Sequence, residues 1–410
     1  MSKLMTTLKK DITILEDGDI ATPKGFEAGG LHAGIRKKKL DLAWLYSDVP
    51  AVASGVYTLN SFQAAPLKVT QESISVDGKI QALIVNSGVA NACTGEQGDK
   101  DAVKMRDLMS EKFGVCKHHV AVASTGVIGE LLPMDKIEAG VHEMDRQTQT
   151  SDMFETAILT TDTKEKRAAV QIEIEGKTVT IAGAAKGSGM INPNMATMLS
   201  FITTDANIEK EALDQSLKAI TNQSFNMITV DGDTSTNDMV LVLANGKQHH
   251  TPLTTEHADY SLFEEALTYV CQTLAKEIAR DGEGATKLIE VHVTGTAHDE
   301  SAQKIGKAVI SSNLVKTAIH GADANWGRII TAVGYSGEPI DPNQVSVQLG
   351  EIMVVNRGVP VAFSEEEAKQ YLQQTDVSID VNVGDGPGEA YGWGCDLSYD
   401  YVRINASYRT

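Results

Sequence analysis

Positive charge is scarce in this sequence. Its 410 residues carry 36 Lys and Arg against 55 Asp and Glu, a formal charge of −19. Nucleic-acid grooves and anionic lipid surfaces both call for clustered cations, so this balance argues against either as a partner. Long apolar runs are missing as well, since no stretch approaches the ~18 apolar residues that a membrane-spanning helix needs. The opening residues, Met1 to Leu15, hold lysines but neither an apolar signal core nor an Arg-rich amphipathic stretch. The expectation is an untargeted cytoplasmic protein. Cysteine is limited to Cys93, Cys116, Cys271 and Cys395, with no Cys-x-x-Cys pair. That spacing fits incidental thiols in a reducing compartment better than a disulfide framework.

What is present is the composition of a folded protein. Hydrophobic residues make up 42% and charged residues 22% of the chain, enough for a sizeable core. The length suggests about two to three domains. No low-complexity run or fixed-period repeat marks their boundaries. Strand patterns fall at Ile80–Asn86, Val120–Ser124, Met227–Val230, Met239–Leu243, Ile289–Val293, Val345–Leu349, Val377–Val383 and Tyr401–Ile404. A hairpin of Ala168–Ile174 with Thr178–Ile181 turns around Glu175-Gly176-Lys177. Helical spacing links Ala102, Met105, Met109 and Phe113 up to Gly114, then Ile208 to Ile220 and Leu262 to Ile278. Ser364 and Glu367 form a capping box ahead of a further short helix. Hairpins mixed with helices predict an α+β layered fold with partly antiparallel sheets.

Several familiar site patterns fail on inspection. His142-Glu143 begins like a zinc-protease helix, but Arg146 stands where the second His is needed. Asp231 to Asn237 starts like a calcium loop, yet Thr236 and Val242 occupy the positions of its Gly and Glu. Gly384 to Gly388 follows a strand, but Glu389 replaces the third glycine of a dinucleotide fingerprint, so a glycine-rich turn is expected. Cys116-Lys117-His118-His119 offers soft ligands without a second cluster in the sequence to complete a zinc site. No nucleophile elbow of the G-x-S-x-G type occurs, because Lys186 stands two before Ser188.

One segment carries more chemistry: Lys186-Gly187-Ser188-Gly189-Met190-Ile191-Asn192-Pro193-Asn194-Met195-Ala196-Thr197-Met198-Leu199. Its glycines and Asn-Pro step suggest a tight, backbone-exposed loop feeding an apolar strand, Met198 to Thr203. Read alone, it is a loop and a buried strand. As a string, it resembles the signature of the ornithine acetyltransferase family, the glutamate N-acetyltransferases of arginine biosynthesis. Seven further segments resemble the same family in order: Asn86 to Gly95, Ala123 to Gly129, Thr160 to Thr163, Val230 to Asp238, Asp281 to Lys287, Gly321 to Arg328, and Tyr401 to Thr410.

The resemblance implies a layered αββα arrangement and a precursor that cleaves itself between Ala196 and Thr197. It would leave an α chain of residues 1–196 and a β chain of residues 197–410, with the active site where the chains meet. Thr197 would then be an N-terminal nucleophile. A Thr hydroxyl needs a base near neutral pH, and a freed α-amine with a pKa of about 7.7–8.0 can supply one. The oxyanion hole implied by the resemblance maps onto Thr125 and Gly126. Substrate contacts map onto Thr160, Lys186, Thr197, Glu283, Asn405 and Thr410, with Thr161 an alternative to Thr160. In the expected roles Lys186 pairs with a substrate carboxylate and Glu283 with the ornithine ammonium. The apolar and aromatic C-terminal segment suits a docked strand.

The reaction implied is acetyl transfer from N2-acetylornithine to glutamate through an acetyl-Thr197 intermediate. No metal or prosthetic group is expected. The resemblance leaves open whether acetyl-CoA also serves as donor, and it implies a heterotetramer of two α and two β chains. Two other readings stand beside it: an N-terminal-nucleophile amidohydrolase or aminopeptidase that releases its acyl group to water, and a catalytically silent amino-acid-binding relative.

Overall fold

The computed structural model describes residues 11–192 and 198–407. The expected cleavage junction, Ala196 and Thr197, and the terminal Thr410 lie outside the described residues. The chain forms two compact units. The first takes residues up to Gly187, then Asn194–Thr221 and Thr234–Leu274; the second takes Ser188–Pro193, Asn222–Asp233 and Ala275–Thr410. The chain enters the second unit three times, which is why no linker composition marks a boundary.

The first unit is built on a nine-stranded mixed sheet. Its strands are β1 (Thr13–Ile14), β2 (Phe26–Leu31), β3 (Leu42–Tyr57), β4 (Lys79–Val89), β5 (Val120–Val127), β6 (Lys166–Ile174), β7 (Lys177–Lys186), β8 (Leu199–Thr204) and β10 (Met239–Ala244). Along the order β1-β6-β7-β8-β10-β3-β4-β5, the pairs β8–β10 and β4–β5 are parallel and the others antiparallel, while β2 pairs with β3. The central strands look like unbroken apolar runs because both faces are covered. Period-2 alternation still sorts them: Leu42, Trp44, Ile84 and Val122 join one core, while Ala43, Leu45, Leu83 and Ala123 join another. Helices α1 (Ala65–Asp77), α2 (Gly95–Phe113) and α3 (Met134–Glu143) supply the first of these cores with Val69, Met105, Met109 and Ile137. Helix α4 (Ser151–Ala157) gives Phe154 to the second, edge-on to Phe201 of β8 at 5.8 Å. As expected, α2 ends at Gly114, whose positive φ of 66° closes the helix at little steric cost.

The second unit carries a seven-stranded mixed sheet in the order β14-β13-β12-β15-β11-β16-β9. These strands are β9 (Ile228–Thr229), β11 (Leu288–Gly295), β12 (Ser346–Leu349), β13 (Ile352–Asn356), β14 (Val359–Pro360), β15 (Asp376–Asn382) and β16 (Gly386–Cys395). Strand β15 alternates strictly, burying Val377, Ile379 and Val381 against Ile305 and Val309 of α7 (Asp299–Ser311) and Ile329 of α9 (Trp326–Gly334). Helix α10 (Glu365–Leu372) starts where the capping box predicts, with the Ser364 hydroxyl accepting from the Glu367 N–H.

Three expectations are corrected. Tyr401–Ile404 is not a strand but part of helix α11 (Tyr399–Ala406). Ser398 caps it by accepting from the Asp400 N–H, and this local cap outweighs the strand preference of Tyr, Val and Ile. The expected strand at Met227–Val230 is cut to two residues, because Phe225–Met227 makes a 3-10 turn first. Gly386 and Gly388 belong to β16 instead of a turn: a Cβ on Gly386 would stand 2.1 Å from the Thr296 carbonyl oxygen.

Candidate active site

Motifs that lie far apart in the sequence meet inside the first unit through buried amides and hydroxyls. Ser124 of β5 donates to the Asn86 carboxamide of β4 at 2.5 Å, and Asn86 in turn donates to the Val89 carbonyl at 2.9 Å. Asn237, just before β10, donates to the carbonyls of Ala90 at 2.6 Å and Ser124 at 2.9 Å. Every side chain in this set is buried. Buried polar groups without partners cost stability, so these three segments fix one another's position.

This frame holds Thr125 and Gly126. The parallel pairing of β4 with β5 shifts register here, and Gly126 comes opposite Gly88. Gly126 has φ of 135°, and a Cβ on it would stand 2.2 Å from the Gly88 carbonyl carbon. Only glycine fits a backbone this close. The Thr125 hydroxyl accepts from the Lys186 ammonium at 3.2 Å, with both residues buried. Lys186 closes β7 and is buried, unlike a solvated surface lysine.

An acidic partner supports this cation. Asp162 accepts from the Gly187 N–H at 2.6 Å, the Lys166 ammonium at 2.7 Å and the Thr160 N–H at 3.0 Å. Burial alone would raise its carboxyl, but Lys166 and Lys186 beside it hold it well below the usual carboxylate range. Thr160 is thereby tied to Lys186 through a shared carboxylate, and Arg36 clamps the same turn by donating to the carbonyls of Leu159 and Thr160. Thr160 and Thr161 are both half-buried. Asp238 is wholly buried; burial pushes its carboxyl well above the ordinary value, and Lys186 opposes that only in part. The β8 entrance is fixed on its described side, where Met198 accepts from the Met239 N–H at 2.9 Å.

The remaining candidates lie in the second unit. Glu283 is buried and accepts from the Asn405 carboxamide at 2.8 Å, so two side chains expected to touch substrate are in contact. Its backbone N–H donates to Ser188, and a Cβ on Gly189 would fall 2.4 Å from its carboxyl carbon. Asp231 receives the backbone N–H groups of Met190 and Ile191 and the Tyr401 hydroxyl, at 2.7, 2.9 and 3.2 Å. Burial raises the Asp231 carboxyl despite those backbone donors. The loop Ser188–Asn192 and helix α11 are thus pinned by the same two acids.

Sequence reasoning missed Asp162 and Lys166, whose spacing of four was the available signal. It also gave no role to Asn237 or Asp238, although both lie in a quoted segment. Among the described residues, Cys116, His118 and His119 are the side chains grouped closely enough to hold a metal ion.

A family model described as the ArgJ family matches residues 27–410. The arginine biosynthesis bifunctional protein ArgJ of Oceanobacillus iheyensis is 58% identical over 405 residues, covering 99% of this chain and 100% of that protein. Its counterpart in Geobacillus kaustophilus is 59% identical over 410 residues, covering 99% and 100%. A crystal structure of the Bacillus halodurans ArgJ protein is 55% identical, covers 45% of this chain and 98% of that chain, and superposes with a TM-score of 0.44.

Proposed function

The chain belongs to the ArgJ family, and we propose that it transfers the acetyl group of N2-acetylornithine to glutamate in arginine biosynthesis, with Thr197 as the acyl carrier. The observation that carries the site assignment is the buried Lys186–Thr125 hydrogen bond beside Gly126. It supports a reading in which the Thr125 hydroxyl and the Gly126 N–H serve a developing oxyanion and the Lys186 cation beside them serves a substrate carboxylate.

In the first half-reaction the Thr197 hydroxyl attacks the acetyl carbonyl while its α-amine takes the proton. The amide C–N bond then breaks and ornithine leaves as the amine, having received that proton. In the second half-reaction the glutamate amine attacks the acetyl ester and Thr197 leaves with its proton restored. Atoms and charges balance without a metal or prosthetic group. Formation of Thr197 as an N-terminus requires cleavage after Ala196, by attack of the same hydroxyl on the preceding carbonyl and hydrolysis of the ester. The bifunctional naming of the relatives supports acetyl-CoA as a second donor. Glu283, contacted by Asn405, serves the ornithine ammonium, and Thr160 and Thr410 complete the substrate contacts.

Intact mass of the denatured protein, beside Thr197→Ala, tests this reading. Wild type should give two fragments of about 21 and 23 kDa, from 43.9 kDa divided over 196 and 214 residues, and the variant one chain. Initial-rate lines at varied glutamate should then be parallel. An uncut, folded wild-type chain would remove the base from the mechanism and favour an amino-acid binder; free acetate without an acceptor would favour a hydrolase.

A further inference from the structure

Between α2 and β5 the chain makes a 3-10 turn, Lys117–His119, with Cys116 as the residue that opens it. The His119 N–H donates to the Cys116 carbonyl at 2.9 Å, which closes the turn. Residues three apart eclipse in such a turn, so Cys116 and His119 lie on one side of it. The His118 ring packs edge-on against His119 with centroids 4.4 Å apart. Lys117 is drawn elsewhere by Asp107 at 2.7 Å, so the intervening cation is taken up by another partner. As a result one ligand atom each from Cys116, His118 and His119 lie within 4.8 Å of one another. From α1, Asp77 reaches the same cluster: its carboxylate is 2.8 Å from His119 Nε2 and 3.8 Å from His118 Nε2.

We propose that Cys116, His118 and His119 bind a zinc ion, with Asp77 orienting the His119 ring. One thiolate and two imidazoles are the donor set that zinc favours, and three protein ligands leave its fourth position to water. A carboxylate on a histidine nitrogen is the usual outer contact of such sites. Binding takes the thiol proton into solvent as the sulfur becomes a thiolate, and no electron is transferred. The sequence concealed the site because no second Cys/His cluster accompanies it; the turn supplies three donors and the distant α1 supplies their support. An ion there would clamp the end of α1 to the start of β5.

The full chain, stripped with a chelator, should be titrated with Zn²⁺ against a chromophoric competitor and separately with Co²⁺. One equivalent should bind, and the cobalt form should show thiolate-to-metal charge-transfer absorption that survives Cys93→Ser. Cys116 is exposed and His118 half-buried at the surface, so Cys116→Ser and His118→Ala should keep the fold, which circular dichroism checks. Cys116→Ser should abolish the absorption, and each variant should weaken zinc binding by about tenfold or more. Failure of wild type to hold stoichiometric metal, or charge-transfer absorption that persists in Cys116→Ser, would overturn the site.

Discussion

Lys186 gives a hydrogen bond to Thr125 while standing in the field of two buried carboxyls, Asp162 and Asp238, and its charge pulls both of them down. Lys166 and Lys186 together hold the Asp162 carboxyl well below the usual carboxylate range, whereas burial pushes that of Asp238 above it. Of the two acids beside one lysine, the one that also has Lys166 ends below its ordinary range and the one without it ends above.

Replacing Asp162 by Asn should damage the fold before it damages chemistry. The Lys166 side chain has no exposure at all, and stripping it of its carboxylate leaves a buried charge. Breaking such a pair costs about 3–5 kcal/mol. Urea denaturation should show that loss; a change below about 1 kcal/mol would mean the cluster relaxes or admits water.

Gly126→Ala should be destabilising and catalytically severe. The new Cβ would have to displace Gly88 backbone at 2.2 Å, where neither strand can swing aside as a side chain would. About 2–4 kcal/mol of lost stability is expected, with turnover falling further than melting temperature accounts for. A variant with wild-type melting and activity would show the bulge to be adaptable.

Glu283→Gln should raise KM for acetylornithine by about ten- to a hundredfold, the loss expected for one charge-assisted contact, with a smaller change for glutamate. Asn405→Ala removes only the partner of that carboxylate and should move the same constant less. Unchanged acetylornithine kinetics in Glu283→Gln would refute its assignment to the ammonium.

Glu155 gives a pH signature in stability. Burial pushes its carboxyl up to about 7, against the pull of Arg167 at 3.6 Å. The folded state therefore holds a proton that the unfolded state releases near pH 4.5. Stability from this group is present at low pH and falls as pH rises from about 4.5 through 7. Thermal melts of Glu155→Gln and wild type should be close near pH 5 and diverge above 7, the variant being more stable; parallel profiles would count against it.

Much of the fold was legible because local signals agreed with burial. Strand β15 shows its alternation openly, and α2 shows both its apolar stripe and its terminal glycine. Helix α11 was misread because Tyr401, Val402 and Ile404 suit either a strand or one helical turn, and only the Ser398 cap decides between them. At the site, Thr125, Gly126, Lys186 and Glu283 were reached through their segments. Asp162 and Asp238 escaped because a carboxylate's role depends on which cations fold against it, and pairs such as Lys186 with Asp238 are set by tertiary structure.

Helix α11 buries none of its residues, yet Asn405 and Tyr401 attach it to Glu283 and Asp231. It is held mainly by directional polar contacts, with Tyr401 and Ile404 only half-buried. Detaching it would expose little nonpolar surface, and the accompanying heat-capacity change would be small. Its docking equilibrium should then follow a nearly straight van't Hoff line while the unfolding curve of the whole protein bends, so that the C-terminal arm and the cores respond to temperature by different laws.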